Sequence, residues 1–230
     1  LKSAANPMLL LRSLSVVRND IELLGDSRFV VITGPNTGGK TVTLSTVGLL
    51  VLMTHAAIPI PASEESHVPK FNDLFALIGD AQDIQRDLSS FSGHLAALTE
   101  LLDAAGPGTL ALLDELVVGT EPEAGAALAI AVIESLAARG ARGFVTTHYA
   151  RLKTLAYENE AFANACVGVE ADTLTPSFEL KMGLPGTSNP FAVAEQLGFD
   201  KDMAVAQVVE KGVEQLGLSG EVNGLSLAKK

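Results

Sequence analysis

Gly34-Pro35-Asn36-Thr37-Gly38-Gly39-Lys40-Thr41 decides the fold. The stretch fits G-x-x-x-x-G-K-[ST], the phosphate-binding loop that joins a strand to a helix. Immediately before it, Arg28-Phe29-Val30-Val31-Ile32-Thr33 is rich in β-branched and apolar residues and reads as a strand. Immediately after it, Thr41 to Leu52 is apolar, broken only by Thr43, Ser45, Thr46 and Gly48, and reads as a buried helix. Glycines let such a loop curl until its N–H groups point inward at an anion, and the positive end of the helix dipole adds to that pull. Gly34, Pro35, Asn36, Thr37, Gly38 and Gly39 are therefore the expected cradle. Lys40 is expected to reach the β- and γ-phosphates, and Thr41 to hold Mg²⁺.

A site of this kind needs acids downstream. Leu110-Ala111-Leu112-Leu113-Asp114-Glu115 is an apolar strand ending in two of them. Charge at the end of a buried strand costs desolvation, so partners are expected for both. Asp114 is read as a ligand of the Mg²⁺ shell and Glu115 as the group that polarises a water attacking the γ-phosphate. Thr146-Thr147-His148-Tyr149 ends the next strand. Ligands of open α/β sheets sit beyond the carboxyl ends of the strands, which makes His148 a candidate contact for the γ-phosphate or its attacking water. Leu88-Ser89-Ser90-Phe91-Ser92-Gly93-His94 reads as a hydroxyl-rich turn opening into a helix. Ser89 and Ser90 are either plain helix N-caps or an anion-binding helix start offered to a second subunit's γ-phosphate, and both readings stand. His55 and His67 have no partners at metal-ligand spacing, so no structural metal site is expected.

The rest of the chain alternates strand and helix. Strands are expected at Phe71 to Ile78, Thr109 to Leu113 and Gly143 to Thr147, and helices at Ala81 to Ala105 and Pro122 to Arg139, the latter stopped by Gly140. Leu9-Leu10-Leu11 and Ile21-Glu22-Leu23-Leu24 are expected to add short strands. Ala165 to Val169 and Ser177 to Met182 suggest a late hairpin, and Phe191 to Leu197 and Met203 to Val213 suggest final helices. Gly183 to Asn189 is rich in turn residues, with a connector and a functional loop about equally plausible. The alternation argues for right-handed βαβ units and a mainly parallel central sheet flanked by helices, an α/β fold.

Composition narrows the class. With 47% hydrophobic residues among 230, the chain can bury a substantial core. No apolar stretch reads as a membrane span and no signal peptide is visible. The single cysteine, Cys166, allows no internal disulfide and fits a reducing cytoplasm. A net charge of −11 disfavours nucleic-acid binding through the average surface, because phosphate contacts need Lys and Arg. Leu1 rather than Met stands first, which reads as a piece of a longer protein.

In this order the motifs resemble the MutS-family ATPase domain. Gly34 to Thr41, with its Pro-Asn and Gly-Gly, looks like that family's phosphate loop. Asp87 to His94 resembles its Ser-Thr-Phe segment, Leu112 to Leu116 with Gly119-Thr120-Glu121-Pro122 its acidic strand and following loop, and Thr146 to Tyr149 its histidine switch. Ile58-Pro59-Ile60-Pro61-Ala62 and Leu184 to Asn189 point to the second bacterial MutS paralogue branch, associated with recombination control and ribosome rescue. The resemblance runs from about Pro7 to Phe199 and implies an ABC-type ATPase core, within a domain taken as residues 1–216, with ATP and Mg²⁺ as cofactors and a cytoplasmic homodimer with composite sites; the tail over 217–230 mixes Gly, Ser and Lys and is expected to fray. The resemblance also implies that Asn36 contacts the γ-phosphate region and that Ser89 and Ser90 reach the partner's nucleotide. Branched DNA or the ribosome would be engaged through regions absent from this chain. Two departures stand out. Val117 and Val118 replace the small residues that usually follow the acidic strand, where branched side chains restrict the backbone. Ala5-Asn6-Pro7 stands where the family has Arg-His-Pro. Rival readings are another ABC-type repair or chromosome ATPase, whose Leu-Ser-Gly-Gly-Gln signature is missing, and a nucleotide-gated dimerisation module with little hydrolysis.

Overall fold

A computed structural model describes residues 1–12, 15–23, 25–79, 88–117, 121–169 and 176–186. All of them belong to one compact unit, Leu1–Ser188. The helices expected at 191–197 and 203–213, the boundary at 216, and residues 81–87 of the helix expected from Ala81 lie outside the described residues.

Six strands form one sheet: β1 (Phe29–Thr33), β2 (Asp73–Leu77), β3 (Thr109–Leu113), β4 (Arg142–Thr146), β5 (Phe162–Val169) and β6 (Pro176–Met182). Their order is β2-β3-β4-β1-β5-β6, with every pair parallel except β5 and β6. The protein is thus an α/β domain with a mostly parallel sheet, and the late hairpin is present. Helices α2 (Lys40–His55), α3 (Leu88–Ala104), α4 (Pro122–Ala138) and α5 (Ala150–Glu158) flank it. No helix among the described residues is long and apolar enough to cross a membrane.

The continuous apolar runs of β1 and β3 are buried along their whole length, as strands covered on both faces must be. Side chains alternate across a strand, so each of these strands feeds two cores. Phe29, Val31, Ala111 and Leu113 face a cluster with Leu98 and Leu101 of α3, Ile133 and Leu136 of α4, and Leu152 of α5. Val30, Ile32, Leu110 and Leu112 face the other, with Leu44, Val47 and Val51 of α2. Burying one such Leu or Ile stabilises the fold by about 1.5–3 kcal/mol, so truncating Leu112 to Ala would cost about 2–5 kcal/mol.

Three expectations need correction. Leu9-Leu10-Leu11 is not a strand: Pro7–Leu10 forms a single helical turn, α1. Pro7 presets the first helical φ, and the Asn6 side chain accepts from the N–H groups of Met8 and Leu9 at 2.9 and 3.2 Å, which outweighs the leucine run. The strand expected at 21–24 reduces, in the described residues, to an isolated bridge between Ala4 and Asn19 beside hydrogen bonds joining Ile21 to Leu1. Leu88 to His94 is already helical from Leu88 rather than a turn. Helix α5 has no counterpart in the sequence reading; it is short and lacks a side-chain cap, and Leu152 and Leu155 are its only buried residues. The helix expected over Pro122 to Arg139 is present: α4 starts at Pro122, and Gly140 takes φ 85° just past its C-cap, Arg139.

Candidate functional site

The site lies beyond the carboxyl ends of β1, β3 and β4. The chain leaves β1 at Gly34, passes a 3₁₀ turn at Asn36–Gly38, and enters α2 at Lys40. Gly34 adopts φ 136° and Gly39 φ 93°, a range that L side chains rarely occupy. The loop also runs hard against β5. A Cβ on Gly34 would lie 2.6 Å from the carbonyl oxygen of Val167, and one on Gly38 would lie 2.8 Å from its Cγ2.

Lys40 is buried, with 3% exposure. Its ammonium donates to Gly34 O at 3.1 Å, Pro35 O at 3.3 Å and Asn36 Oδ1 at 3.0 Å. Glu115 Oε1 stands 4.0 Å away, close enough for attraction but beyond a hydrogen bond. Burial pulls the Lys40 ammonium below its ordinary pKa, while the charges of Glu115 and Asp114 oppose that pull.

Thr41, in the first turn of α2, donates from its hydroxyl to Asp114 Oδ2 at 2.7 Å. Asp114 Oδ1 accepts from the hydroxyl of Thr146, at the end of β4. The same Thr146 oxygen accepts from the Glu115 N–H at 3.0 Å. Glu115 sits at φ 46°, left-handed for a non-glycine residue, a conformation that costs about 1–3 kcal/mol and persists only where neighbours impose it. The partners expected for two acids at a buried strand end are therefore present: two hydroxyls for the Asp114 carboxylate and the nearby Lys40 ammonium for that of Glu115.

The structure thus brings Asn36, Lys40, Thr41, Asp114 and Glu115 together. His148 follows β4 and is exposed; its ring packs on that of Tyr149 with centroids 4.4 Å apart. No hydrogen bond among the described residues links it to the Lys40–Asp114 cluster. Tyr149 donates from its hydroxyl to the Val117 carbonyl at 2.5 Å. Burial, then the Glu115 charge, raises the pKa of its phenol. Val117 itself is 1% exposed and belongs to the core, while Val118 lies outside the described residues. Ser89 and Ser90 fall in the first turn of α3, and their side chains lie outside the described residues.

Several participants carried no signal in the sequence reading. Thr146 is one: β3 and β4 pair Leu113 with Val145, and the next residues on the two strands, Asp114 and Thr146, then meet. Only that register could have singled it out from Thr147. A second is the link from the turn-rich loop after β6 back to the strand before the phosphate loop. Gly186 donates its N–H to Thr33 Oγ1 at 2.6 Å, and Lys153 holds the Gly186 carbonyl at 2.7 Å. A third is a cleft of about 330 Å³ next to the glycine loop, lined by Gly39, Val42, Thr46, Val16, Val17 and Phe178 among others. Asn6 closes one side, with its amide donating to Thr46 Oγ1 at 3.0 Å.

The residues present fit a magnesium nucleotide. A hydroxyl and a carboxylate oxygen from Thr41 and Asp114 converge as hard donors of the kind Mg²⁺ takes. The N-terminus of α2, capped by no side chain, faces the same place as the buried ammonium of Lys40, which suits phosphate.

These features define an α/β domain whose central strand runs through a glycine loop into a helix, with two acids on a neighbouring strand. Sequence comparison gives the family. The MutS domain V family model matches residues 30–215. The chain is 44% identical over 214 residues to Endonuclease MutS2 of Geobacillus kaustophilus, covering 93% of this chain and 27% of the relative. It is 47% identical over 203 residues to Endonuclease MutS2 of Pediococcus pentosaceus, with 88% and 26% covered. It is 42% identical over 230 residues to that of Bacillus velezensis, with 100% and 29% covered. The chain belongs to the MutS family, in its MutS2 branch, and spans between a quarter and a third of the length of these relatives.

Proposed function

We propose that this domain binds Mg-ATP and hydrolyses it at the site between the glycine loop and the end of β3. The observation that carries the proposal is the convergence of the buried Lys40 ammonium with Thr41, Asp114 and Glu115 beyond the carboxyl ends of the strands. Lys40 would exchange its carbonyl partners for phosphate oxygens and neutralise their charge, with Asn36, its present amide partner, beside the γ-phosphate. Thr41 and Asp114 would hold the Mg²⁺, which supplies charge neutralisation across the phosphates. Glu115 would orient a water and polarise its O–H as the oxygen attacks phosphorus and the bond to the ADP oxygen breaks. The apolar cleft between Val42 and Phe178 would take the nucleoside base, and His148 would stand at the γ-phosphate side of the strand ends.

On this reading the domain is an ABC-type ATPase core reaching to about residue 216, in keeping with the family match to residue 215. Two copies would close on nucleotide, with Ser89 and Ser90 offered to the partner's γ-phosphate. The longer protein would couple that closure, in the cytoplasm, to branched DNA or to ribosomes.

The test is phosphate release from Mg-ATP over a wide range of protein concentration, beside Glu115→Gln. Specific activity that rises with concentration and is lost in the variant, with ATP binding kept, supports the reading. Turnover unchanged by Glu115→Gln would refute the role of that acid. ATP binding without turnover in the wild type would favour a nucleotide-gated dimerisation module.

A further inference from the structure

We infer that Thr146 is a positioning residue that aims both acids of the site with a single hydroxyl, an inference that rests on the nucleotide reading above. The side chain is wholly buried at the end of β4. A hydroxyl carries one donor and two acceptor positions. Here the donor goes to Asp114 Oδ1 and an acceptor position takes the Glu115 N–H at 3.0 Å. Asp114 Oδ2 takes the Thr41 hydroxyl at 2.7 Å, so the carboxylate is fixed from both sides, by α2 and by β4. Swinging the Asp114 carboxylate out of this plane would break at least one of the two bonds.

The backbone bond acts on the second acid. Glu115 holds φ 46°, and its N–H is fixed on the Thr146 oxygen. The side chain that leaves this strained residue ends 4.0 Å from the Lys40 ammonium. Without the Thr146 oxygen, Glu115 loses the contact that fixes its N–H while the backbone there is strained, and the relaxed chain would swing its carboxylate away from Lys40. Thr146 touches neither nucleotide nor water in this account. It sets the directions of one group that would hold the metal and one that would polarise the water.

Thr146→Val keeps the β-branched shape that suits a buried strand while removing both hydrogen bonds. Loss of a partner that orients a ligating carboxylate typically costs about 10- to 100-fold in metal affinity or activity, and that is the fall expected in kcat. KM for Mg-ATP is expected to rise by no more than the metal affinity falls, because the contacts that Lys40 and the glycine loop offer to the phosphates are untouched. Thr146→Ser restores the hydroxyl and is expected to recover most of the loss. A second readout is independent of turnover: Mn²⁺ affinity by electron paramagnetic resonance, with a non-hydrolysable ATP analogue bound, is expected to weaken in Val and recover in Ser. Thermal melting followed by circular dichroism checks the fold, and Thr146→Cys carries the test if Val does not fold.

A Val variant with wild-type kcat and Mn²⁺ affinity would overturn the inference. So would losses in Val that Ser fails to recover, since they would report packing alone. Failure of the wild type to bind nucleotide at all would sink the nucleotide reading, and this inference with it. Wild-type nucleotide binding combined with an unchanged Val variant would sink this inference alone.

Discussion

Gly34→Ala tests the geometry on which the site depends, the tight passage of the loop beneath β5. Two penalties are expected at this position. Residue 34 holds φ 136°, and forcing an L side chain into such a region costs about 1–3 kcal/mol. The added Cβ would also lie 2.6 Å from the Val167 carbonyl oxygen and 2.7 Å from Val167 Cγ2. That carbonyl belongs to strand β5, so relief requires backbone movement, at an overpacking cost of about 1–3 kcal/mol. Their sum is about 4 kcal/mol, which at about 2–4 °C per kcal/mol for a chain of this size lowers Tm by roughly 8–16 °C. Gly25→Ala separates the two penalties. Gly25 also has positive φ, 52°, but nothing stands within 4 Å of its would-be Cβ. It should cost about 1 kcal/mol, or roughly 2–4 °C. Scanning calorimetry of both variants beside the wild type reads the difference. Equal drops at the two positions would refute the close approach to β5, and with it the strained cradle.

Two further predictions concern the charges around the loop. Lys40→Met should lower ATP affinity by about 10- to 150-fold, the loss of a charged hydrogen bond, yet leave the ligand-free domain as stable or more so, because a buried ammonium is removed. The pH dependence has a definite sign: the folded pKa of Lys40 lies below its ordinary 10.5, so between those values the unfolded chain binds more protons and stability rises with pH. Urea unfolding of both proteins up to pH 10 should show the wild type gaining on Lys40→Met, and parallel curves would contradict the burial argument. Tyr149→Phe removes the 2.5 Å bond to the Val117 carbonyl and should cost about 1 kcal/mol below pH 10, where the phenol is neutral in both states. The raised pKa of Tyr149 keeps its neutral form favoured on folding, so that contribution should fade as pH climbs through the folded value; a difference independent of pH would count against it.

The parts of this domain that were legible in the sequence are those with strong periodicity or a loop that tolerates few alternatives. β1, β3 and α4 were readable because runs such as Phe29 to Thr33 can only be buried strands and because Pro122 and Gly140 mark the ends of a helix. Lys40, Thr41, Asp114 and Glu115 were readable because loop and acidic strand fix them by position. What stayed hidden depended on register or on competition between local signals. Asn6 and Pro7 turned a leucine run into a helical turn. Thr146 and Thr147 are chemically alike in sequence, and only the pairing of β3 with β4 decides which meets the acids. Gly186 reaches Thr33 across a separation of 153 residues, a contact for which no local pattern exists.

The burial of Val117 changes what its departure from the family pattern means. Read from sequence, the two valines after the acidic strand restrict a backbone that the family pattern leaves free. Val117 is 1% exposed and packs in the core with Leu113 and Leu152, so its branched side chain serves the domain's own interior. Its carbonyl, held by Tyr149, anchors the start of the loop from the inside. Tyr149 in turn adjoins His148, so the residue after β4 and the loop after β3 are braced against each other within one chain. The groups that would act in cis are already assembled around Asp114 and Glu115 without help from a second copy. On the proposed reading, a partner then adds the contacts offered by Ser89 and Ser90. That division makes concentration, rather than the chemistry of the acids, the variable that should govern turnover in this domain.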